Sequence, residues 1–199
     1  MTAIKICGIT READAALAVD LGANAVGFVL WPKSPRHAEL KRVKMITATL
    51  PPFVTPVGVF VDASADDLAR AAQAGVRLAQ VHGRVPVSSA LPLLRAVHLG
   101  DNPDGLDAEV GPFETILLDA HDPVLHGGTG RTVDFARAAS VAARRRIILA
   151  GGLTPANVRD AIGAVRPYAV DVASGVEAGP GVKDPVKLRA FIEAVKECV

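Results

Sequence analysis

The chain has 199 residues, of which 50% are hydrophobic and 22% are charged. This supplies apolar material for one well-buried core but too little length for two ordinary domains, so we expect a single domain over residues 1–199. A formal net charge of +1 and an aromatic content of 4% argue against an electrostatic or stacking surface for nucleic acid, and against an anionic membrane as partner.

The two cysteines, Cys7 and Cys198, lie at opposite ends of the sequence. They form no CxxC motif or Cys/His cluster, which argues against a zinc site or a disulfide framework and favours a reducing compartment. The N-terminal segment MTAIKICGIT lacks the long apolar stretch of a signal peptide or membrane span. We therefore expect a soluble, cytoplasmic protein without a bound metal.

Short apolar runs rich in β-branched residues recur along the chain and predict strands. Because the runs are continuous and not alternating, they suit strands that are covered on both faces, as in parallel sheets wrapped by helices. The predicted strands are residues 4–6, 25–30, 57–61, 78–81, 96–99, 115–118, 147–150 and 169–172.

Most segments between these runs carry helix signals. Thr10 is predicted to cap a helix that runs to Leu21, and Ser64 with Asp67 predicts another N-terminus. Thr154 and Pro155 form a predicted N-cap and first turn for the helix after the seventh strand. The weakest helix signals are near residues 85–93 and 102–110, where prolines permit only short turns. The last helix is the clearest, with apolar side chains at i, i+3, i+4 and i+7, namely Leu188, Phe191, Ile192 and Val195.

Strand and helix alternating eight times predicts an α/β fold, a single (β/α)₈ TIM barrel with eight parallel strands. The alternative is an open doubly wound sheet, which usually carries a glycine-rich phosphate fingerprint after its first strand. Here that strand ends in Cys7-Gly8-Ile9-Thr10, which is not such a fingerprint.

Polar residues at the strand ends are candidates for chemistry, because a barrel forms its active site there. Cys7 ends the first strand and Asp119 the sixth, so both side chains should face the barrel mouth from opposite sides. They could act as a proton-transfer pair if nearby Lys5 or backbone donors favour the thiolate. The plainer interpretations are a small buried hydrophobe for Cys7 and a loop cap for Asp119.

Two glycine-containing turns predict a phosphate site. Gly151-Gly152 follows the seventh strand and Ser174-Gly175 the eighth, where backbone amides and helix dipoles commonly hold a phosphate in this fold. Simple tight turns are the alternative.

Three further places are weaker candidates. Arg36 could bind a carboxylate, although a solvated loop residue is the more usual interpretation. His82 is interpreted as a hydrogen-bonded supporting residue and not as a metal ligand. The run Gly127 to Gly130 next to Asp119 suggests a loop that covers a substrate, or a flexible connector.

Taken together, these segments resemble the phosphoribosylanthranilate isomerase family of tryptophan biosynthesis over nearly the whole chain. The Lys5-Ile6-Cys7-Gly8 start is specific by itself, and the other segments are specific only in combination. The matching segments are Lys5 to Thr10, Gly27-Phe28 to Ser34-Pro35-Arg36, Val57 to Phe60, Gln80 to Gly83, Leu118-Asp119, Gly127 to Gly130, Leu149 to Leu153, and Asp171 to Glu177.

The resemblance implies an Amadori rearrangement of N-(5′-phosphoribosyl)anthranilate by general acid–base catalysis, with Cys7 as base and Asp119 as acid. It implies that Arg36 pairs with the anthranilate carboxylate and that the phosphate lies on the amides around Gly152, Ser174 and Gly175. No cofactor is expected, the partner is a small-molecule phosphosugar, and the chain is a monomer or homodimer. The full expected substrate-binding set is Arg36, His82, Gly128, Gly151, Gly152, Asp171, Ser174 and Gly175.

Two other functions compete with this hypothesis. The histidine-pathway isomerase performs the same rearrangement on a different amine, but it is expected to use an aspartate where this chain has Cys7. A catalytically silent phosphate-binding barrel would keep the glycine turns but would not need Cys7 together with Asp119.

Overall fold

Eight parallel strands close into a barrel in the order of the chain, so the predicted fold class is confirmed. The computed structural model describes residues 1–99, 115–119 and 135–198. The barrel strands are β1 (Ala3–Ile6), β2 (Ala25–Val29), β3 (Thr55–Val61), β4 (Leu78–His82), β5 (Leu93–His98), β6 (Ile116–Asp119), β7 (Ile147–Ala150) and β8 (Ala169–Val172).

Helices pack around this barrel, and a small hairpin follows its last strand. The described helices are α1 (Glu12–Asp20), α2 (Leu40–Thr47), α3 (Ala65–Gln73), α4 (Phe135–Ala142), α5 (Val158–Val165) and α6 (Pro185–Lys196). After β8 come a 3₁₀ turn (Ser174–Val176) and the antiparallel strands β9 (Glu177–Gly179) and β10 (Val182–Lys183). Within the described ranges, no helix is long and apolar enough to cross a membrane.

The core has two layers because alternate residues of each strand face opposite sides. On β6, Ile116 and Leu118 belong to the large cluster between barrel and helices, while Leu117 belongs to a separate small cluster. That small cluster fills the barrel interior and consists of Leu94, Ala96, Leu117, Ile148, Ala150 and Ala169. The barrel interior is therefore a packed core and not a pore.

Two of the three helix starts that the sequence predicted are wrong. The residue before α1 is Arg11, and the Thr10 hydroxyl instead donates to the carbonyl of Gly181 in the β9–β10 turn. Helix α5 begins at Val158, because the Thr154 amide donates to the Asn157 side chain at 2.7 Å and forms a turn ahead of the helix.

Within the described residues, the remaining element predictions hold except around the fifth strand. Ser64 and Asp67 form the predicted N-terminal signal as a reciprocal capping box on α3, and all four apolar positions predicted in α6 are buried. No helix forms over residues 85–92, and β5 begins at Leu93, before its predicted start at residue 96. The helix predicted near 102–110 lies outside the described residues.

Candidate active site

Cys7 lies directly after β1 at the mouth of the barrel, where it was predicted. Its amide donates to the carbonyl of Val172 on β8 at 2.8 Å, and only 7% of the residue is exposed. A Cβ atom on Gly27 of β2 would lie 3.0 Å from Cys7 Sγ and 3.2 Å from Lys5 Nζ. Glycine at that position therefore makes room for the thiol and the ammonium group side by side.

The Lys5 ammonium sits between Cys7 and a carboxylate. Its Nζ donates to Oδ1 of Asp171 at 2.8 Å, and both side chains are at most 9% exposed. Strands β1 and β8 pair Lys5 directly with Asp171, so the register of the barrel creates this contact. Burial lowers the pKa of Lys5, but attraction to Asp171 and Cys7 outweighs it and raises the pKa above its ordinary value, so Lys5 stays protonated.

The Cys7 thiol is held in its neutral form in the free protein. Burial is the largest influence and raises the pKa of Cys7, and Asp171 raises it further. The positive charges of Lys5 and Lys183 lower it, but they do not outweigh burial. The site therefore contains a weakly acidic thiol with two cations poised to stabilise its thiolate.

Asp119 ends β6, as predicted, and is paired in the sheet with His98 of β5 and Ala150 of β7. Its carboxylate Oδ2 lies 3.9 Å from Nδ1 of His98, and its side chain is 26% exposed. Around the barrel, β6 is reached from β1 through β8 and β7, so Asp119 and Cys7 approach the mouth from different sides.

His82 lies beside these groups at the end of β4. Its Nε2 is hydrogen-bonded to Nε2 of Gln80 at 2.9 Å, and its ring centroid is 6.5 Å from that of His98. Burial and then the neighbouring His98 lower the pKa of His82, so the imidazole is neutral at pH 7. This fits the predicted supporting role. Sequence reasoning missed His98, although it fell within the run predicted as the fifth strand.

The two glycine-containing turns meet, as the phosphate prediction requires. A Cβ atom on Gly175 would lie 1.9 Å from the carbonyl oxygen of Leu153, so the turns after β7 and β8 approach each other as closely as backbone allows. The N–H groups of Gly152, Ser174 and Gly175 donate to no carbonyl of the described residues. They are available to an anion, as in the helix-terminus sites that bind phosphate.

Arg36 is not a solvated loop residue. Its Nε and Nη2 donate to both carboxylate oxygens of Glu177 on β9 at 2.7–3.0 Å. Lys183 Nζ on β10 donates to the same carboxylate at 2.9 Å. Sequence reasoning assigned no role to Glu177 or Lys183. Arg36 and Glu177 are 141 residues apart, so no local pattern links them. The only sequence feature that could have indicated an ion pair here is the Glu and Lys on either side of a glycine-containing turn.

Not every predicted site residue is placed by the structure. Gly128 and its neighbours 127–130 lie outside the described residues. Asp171 is placed, but its carboxylate is engaged by Lys5, so its predicted contact with a substrate stays a prediction. In the described ranges, no three His, Cys, Asp or Glu side chains gather as metal ligands would.

Fold and site together define a (β/α)₈-barrel enzyme with a thiol, a carboxylate and two abutting glycine-containing turns at its mouth. The family model described as N-(5′-phosphoribosyl)anthranilate (PRA) isomerase matches residues 4–194, and this chain belongs to that family. A relative from Chromohalobacter salexigens named N-(5′-phosphoribosyl)anthranilate isomerase is 45% identical over 98% of this chain and 94% of its own. A relative of the same name from a Geobacter species is 44% identical over 99% of both chains.

Solved structures show the same likeness. The crystal structure of phosphoribosyl anthranilate isomerase from Thermotoga maritima has a TM-score of 0.89 and 40% identity, covering 99% of this chain and 100% of its own. A second structure of such an isomerase, in complex with reduced 1-(o-carboxyphenylamino)-1-deoxyribulose 5-phosphate, has a TM-score of 0.86 and 38% identity over 99% of this chain and 100% of its own.

Proposed function

We propose that this chain, as a single catalytic domain over residues 1–199, isomerises N-(5′-phosphoribosyl)anthranilate to 1-(2-carboxyphenylamino)-1-deoxyribulose 5-phosphate in tryptophan biosynthesis. Membership of the isomerase family supports the reaction. The single observation that carries the mechanism is the buried Cys7 thiol beside the Lys5 ammonium, at the mouth of the barrel that also presents Asp119.

Asp119 is the general acid of the first step. Its protonated carboxyl gives a proton to the ring oxygen of the ribose, the bond from that oxygen to C1′ breaks, and the anilino nitrogen forms a double bond to C1′. The carboxyl is 26% exposed at the end of β6, so it can reach a substrate bound at the barrel mouth.

Cys7 is the general base of the second step. Its thiolate removes the proton from C2′, and the electron pair shifts to give an enolamine, which tautomerises to the ketone. The Lys5 ammonium next to the sulfur stabilises the thiolate that this step requires. The two steps move protons and leave the overall oxidation state of the substrate unchanged, so the reaction needs no redox cofactor.

The two anionic ends of the substrate would be held apart from the reacting carbons. The phosphate would accept hydrogen bonds from the amides of Gly152, Ser174 and Gly175, and the anthranilate carboxylate would pair with the donors that Arg36 keeps beyond its bonds to Glu177. Binding at both ends fixes the sugar carbons between base and acid.

The test follows freshly generated phosphoribosylanthranilate by its fluorescence in a coupled assay. We expect turnover by the wild type and a loss of about 10²–10⁴-fold in kcat for Cys7→Ser and Asp119→Asn, with binding of the reduced product analogue retained. Cys198→Ser is the matched control, because its thiol only donates to the Ala194 carbonyl in α6. An inactive wild type of correct fold would contradict the reaction, and an active Cys7→Ser would contradict the base.

Two further proposals concern the setting of the enzyme. The free thiols Cys7 and Cys198 suit a reducing cytoplasm. For assembly, a solved structure from Thermotoga maritima is described as monomers generated from a dimeric isomerase. A monomer and a homodimer both fit the chain, and light scattering on the purified protein distinguishes them.

A further inference from the structure

Arg36, Glu177 and Lys183 form a largely buried ion cluster, here called the hairpin cluster, to which the proposed mechanism assigns no proton-transfer step. The side chain of Lys183 is 0% exposed and that of Glu177 is 4% exposed. The Gly181 amide also donates to Glu177 Oε1 at 3.3 Å. The cluster has two cations and one anion, and burial of this kind is stable only when every charge finds partners.

Lys183 has a second acceptor that lies outside the hairpin. Its Nζ donates to the carbonyl of Ala173 at 3.1 Å. Ala173 directly precedes Ser174 and Gly175, whose amides face the proposed phosphate position, and its backbone angles (φ −122°, ψ −83°) lie outside the regular helix and strand regions. The ammonium group therefore binds the backbone of the residue that begins the proposed phosphate turn.

Through Glu177, the same ammonium group reaches the other end of the site. Glu177 binds Arg36 along the Nε–Nη2 edge of the guanidinium, which leaves three of its five N–H groups for another acceptor. The cluster lies over Gly8, where a Cβ atom would be 3.0 Å from Arg36 Cδ and 3.6 Å from Lys183 Nζ. Since Gly8 follows Cys7 in the chain, the cluster lies close to the proposed base.

We propose that Lys183 is a positioning residue that ties together the two anion-binding ends of the substrate site. One of its hydrogen bonds orders the turn that receives the phosphate, and the other fixes the carboxylate that aims Arg36 at the aromatic acid. This role rests on the proposed function for the identity of the substrate, but its effect on phosphate binding can be measured without turnover.

Lys183→Met removes both bonds at similar side-chain length. Because both anion-binding ends lose the hydrogen bond that orders them, we expect Kd for inorganic phosphate and KM for phosphoribosylanthranilate each to rise about tenfold or more. Glu177→Gln weakens the hold on Arg36 but keeps Lys183 on Ala173. We expect it to raise KM while Kd for inorganic phosphate stays within about twofold of wild type.

Lys187→Met is the matched control. Lys187 lies on the same segment and donates to the main-chain carbonyl of Glu177 at 2.9 Å, but it contacts neither the Glu177 carboxylate nor Ala173. We expect it to leave phosphate Kd and KM within about twofold. A merely structural lysine at position 183 would lower thermal stability without this division between KM and phosphate Kd.

Titration calorimetry with inorganic phosphate and steady-state kinetics measure the two arms, with circular dichroism to check folding. If Lys183→Met does not fold, Lys183→Gln, which keeps one donor group, enters the same comparison. Wild-type phosphate affinity in the folded Lys183 variant would overturn the proposal, as would an equal loss in Lys187→Met or Glu177→Gln. If the wild type binds phosphate but does not turn over the substrate, the proposed function fails while the phosphate arm still tests Lys183.

Discussion

At the scale of residues, the site depends on a thiol and an ammonium group that share one small space. Lys5 and Cys7 point to the same side of β1 because they are two residues apart, and Gly27 on the neighbouring strand leaves the volume for both. Asp171 then keeps Lys5 protonated. Burial raises the pKa of the Cys7 thiol, and the lysine limits that rise.

Removal of the lysine charge should make the thiol less reactive. We expect Lys5→Met to raise the pKa of Cys7 further, because the largest opposing influence is lost while burial and Asp171 remain. The measurement is the pH dependence of alkylation by iodoacetamide, a neutral reagent, in a Cys198→Ser background. The midpoint should move to higher pH in Lys5→Met, and an unchanged or lower midpoint would show that Lys5 does not act on the sulfur.

At this scale the sequence predicted where site residues lie in the fold better than it predicted which residues they bind. Cys7 and Asp119 were located correctly because a residue at the end of an apolar run must lie at the mouth of a barrel. The partners of Arg36 were not predictable, since pattern and periodicity are local and Glu177 is 141 residues away. Thr10 was misassigned as a helix cap for the same reason, because its acceptor lies on a hairpin after the eighth strand.

At the scale of elements, the turn after β7 and the turn after β8 form one structure through backbone contact at Gly175. The eight strands could be predicted because each is a continuous apolar run. Helix starts were less predictable. Ser64 and Asp67 form a capping box between residues three apart, which the sequence pattern reveals. At α5, the Asn157 side chain accepts a hydrogen bond from the Thr154 amide, and the sequence pattern did not show that this turn would precede the helix.

Gly175→Ala should separate the two turns. Its Cβ atom would lie 1.9 Å from a backbone oxygen, which no side-chain rotation relieves. We expect a loss of about 1–3 kcal/mol of folding free energy from overpacking, together with weaker phosphate binding. Urea denaturation and phosphate calorimetry measure the two effects, and unchanged phosphate affinity would argue against a shared anion site.

Gly163→Ala is the opposite case and the control for glycine replacement as such. Gly163 is exposed within α5, and a Cβ atom there would meet nothing within 4 Å. We expect the variant to gain about 0.5–1 kcal/mol of stability in urea denaturation, since alanine loses less conformational freedom in a helix. A destabilised variant would show that this part of α5 is not the regular exposed helix described.

At the scale of the whole molecule, the barrel is closed by apolar packing, and the segment after β8 is held on by buried charges. Burial opposes ionisation of Glu177, but the hydrogen bonds and charges of Arg36 and Lys183 outweigh it and lower the pKa of Glu177. A lowered pKa in the folded state stabilises the protein above the unfolded value, near ~4.3, and this contribution is lost as the pH falls through the folded value.

The stability of the wild type should therefore decline below about pH 4.3, in part through Glu177. We expect Glu177→Gln to be less stable near neutrality and to show a shallower decline in this acid range. Chemical denaturation at a series of pH values gives the free energy of unfolding for both proteins. Parallel curves would mean that Glu177 does not contribute to acid lability.

The identity of the base is the central claim, and the pH dependence of kcat/KM in Cys7→Asp tests it most directly. A base acts only when deprotonated, so the raised pKa of the thiol places the ascending limb of the wild type on the alkaline side. A carboxyl at the same position ionises at lower pH. We predict that the ascending limb moves to lower pH in the variant, and a limb at the same pH in both proteins would contradict Cys7 as the base.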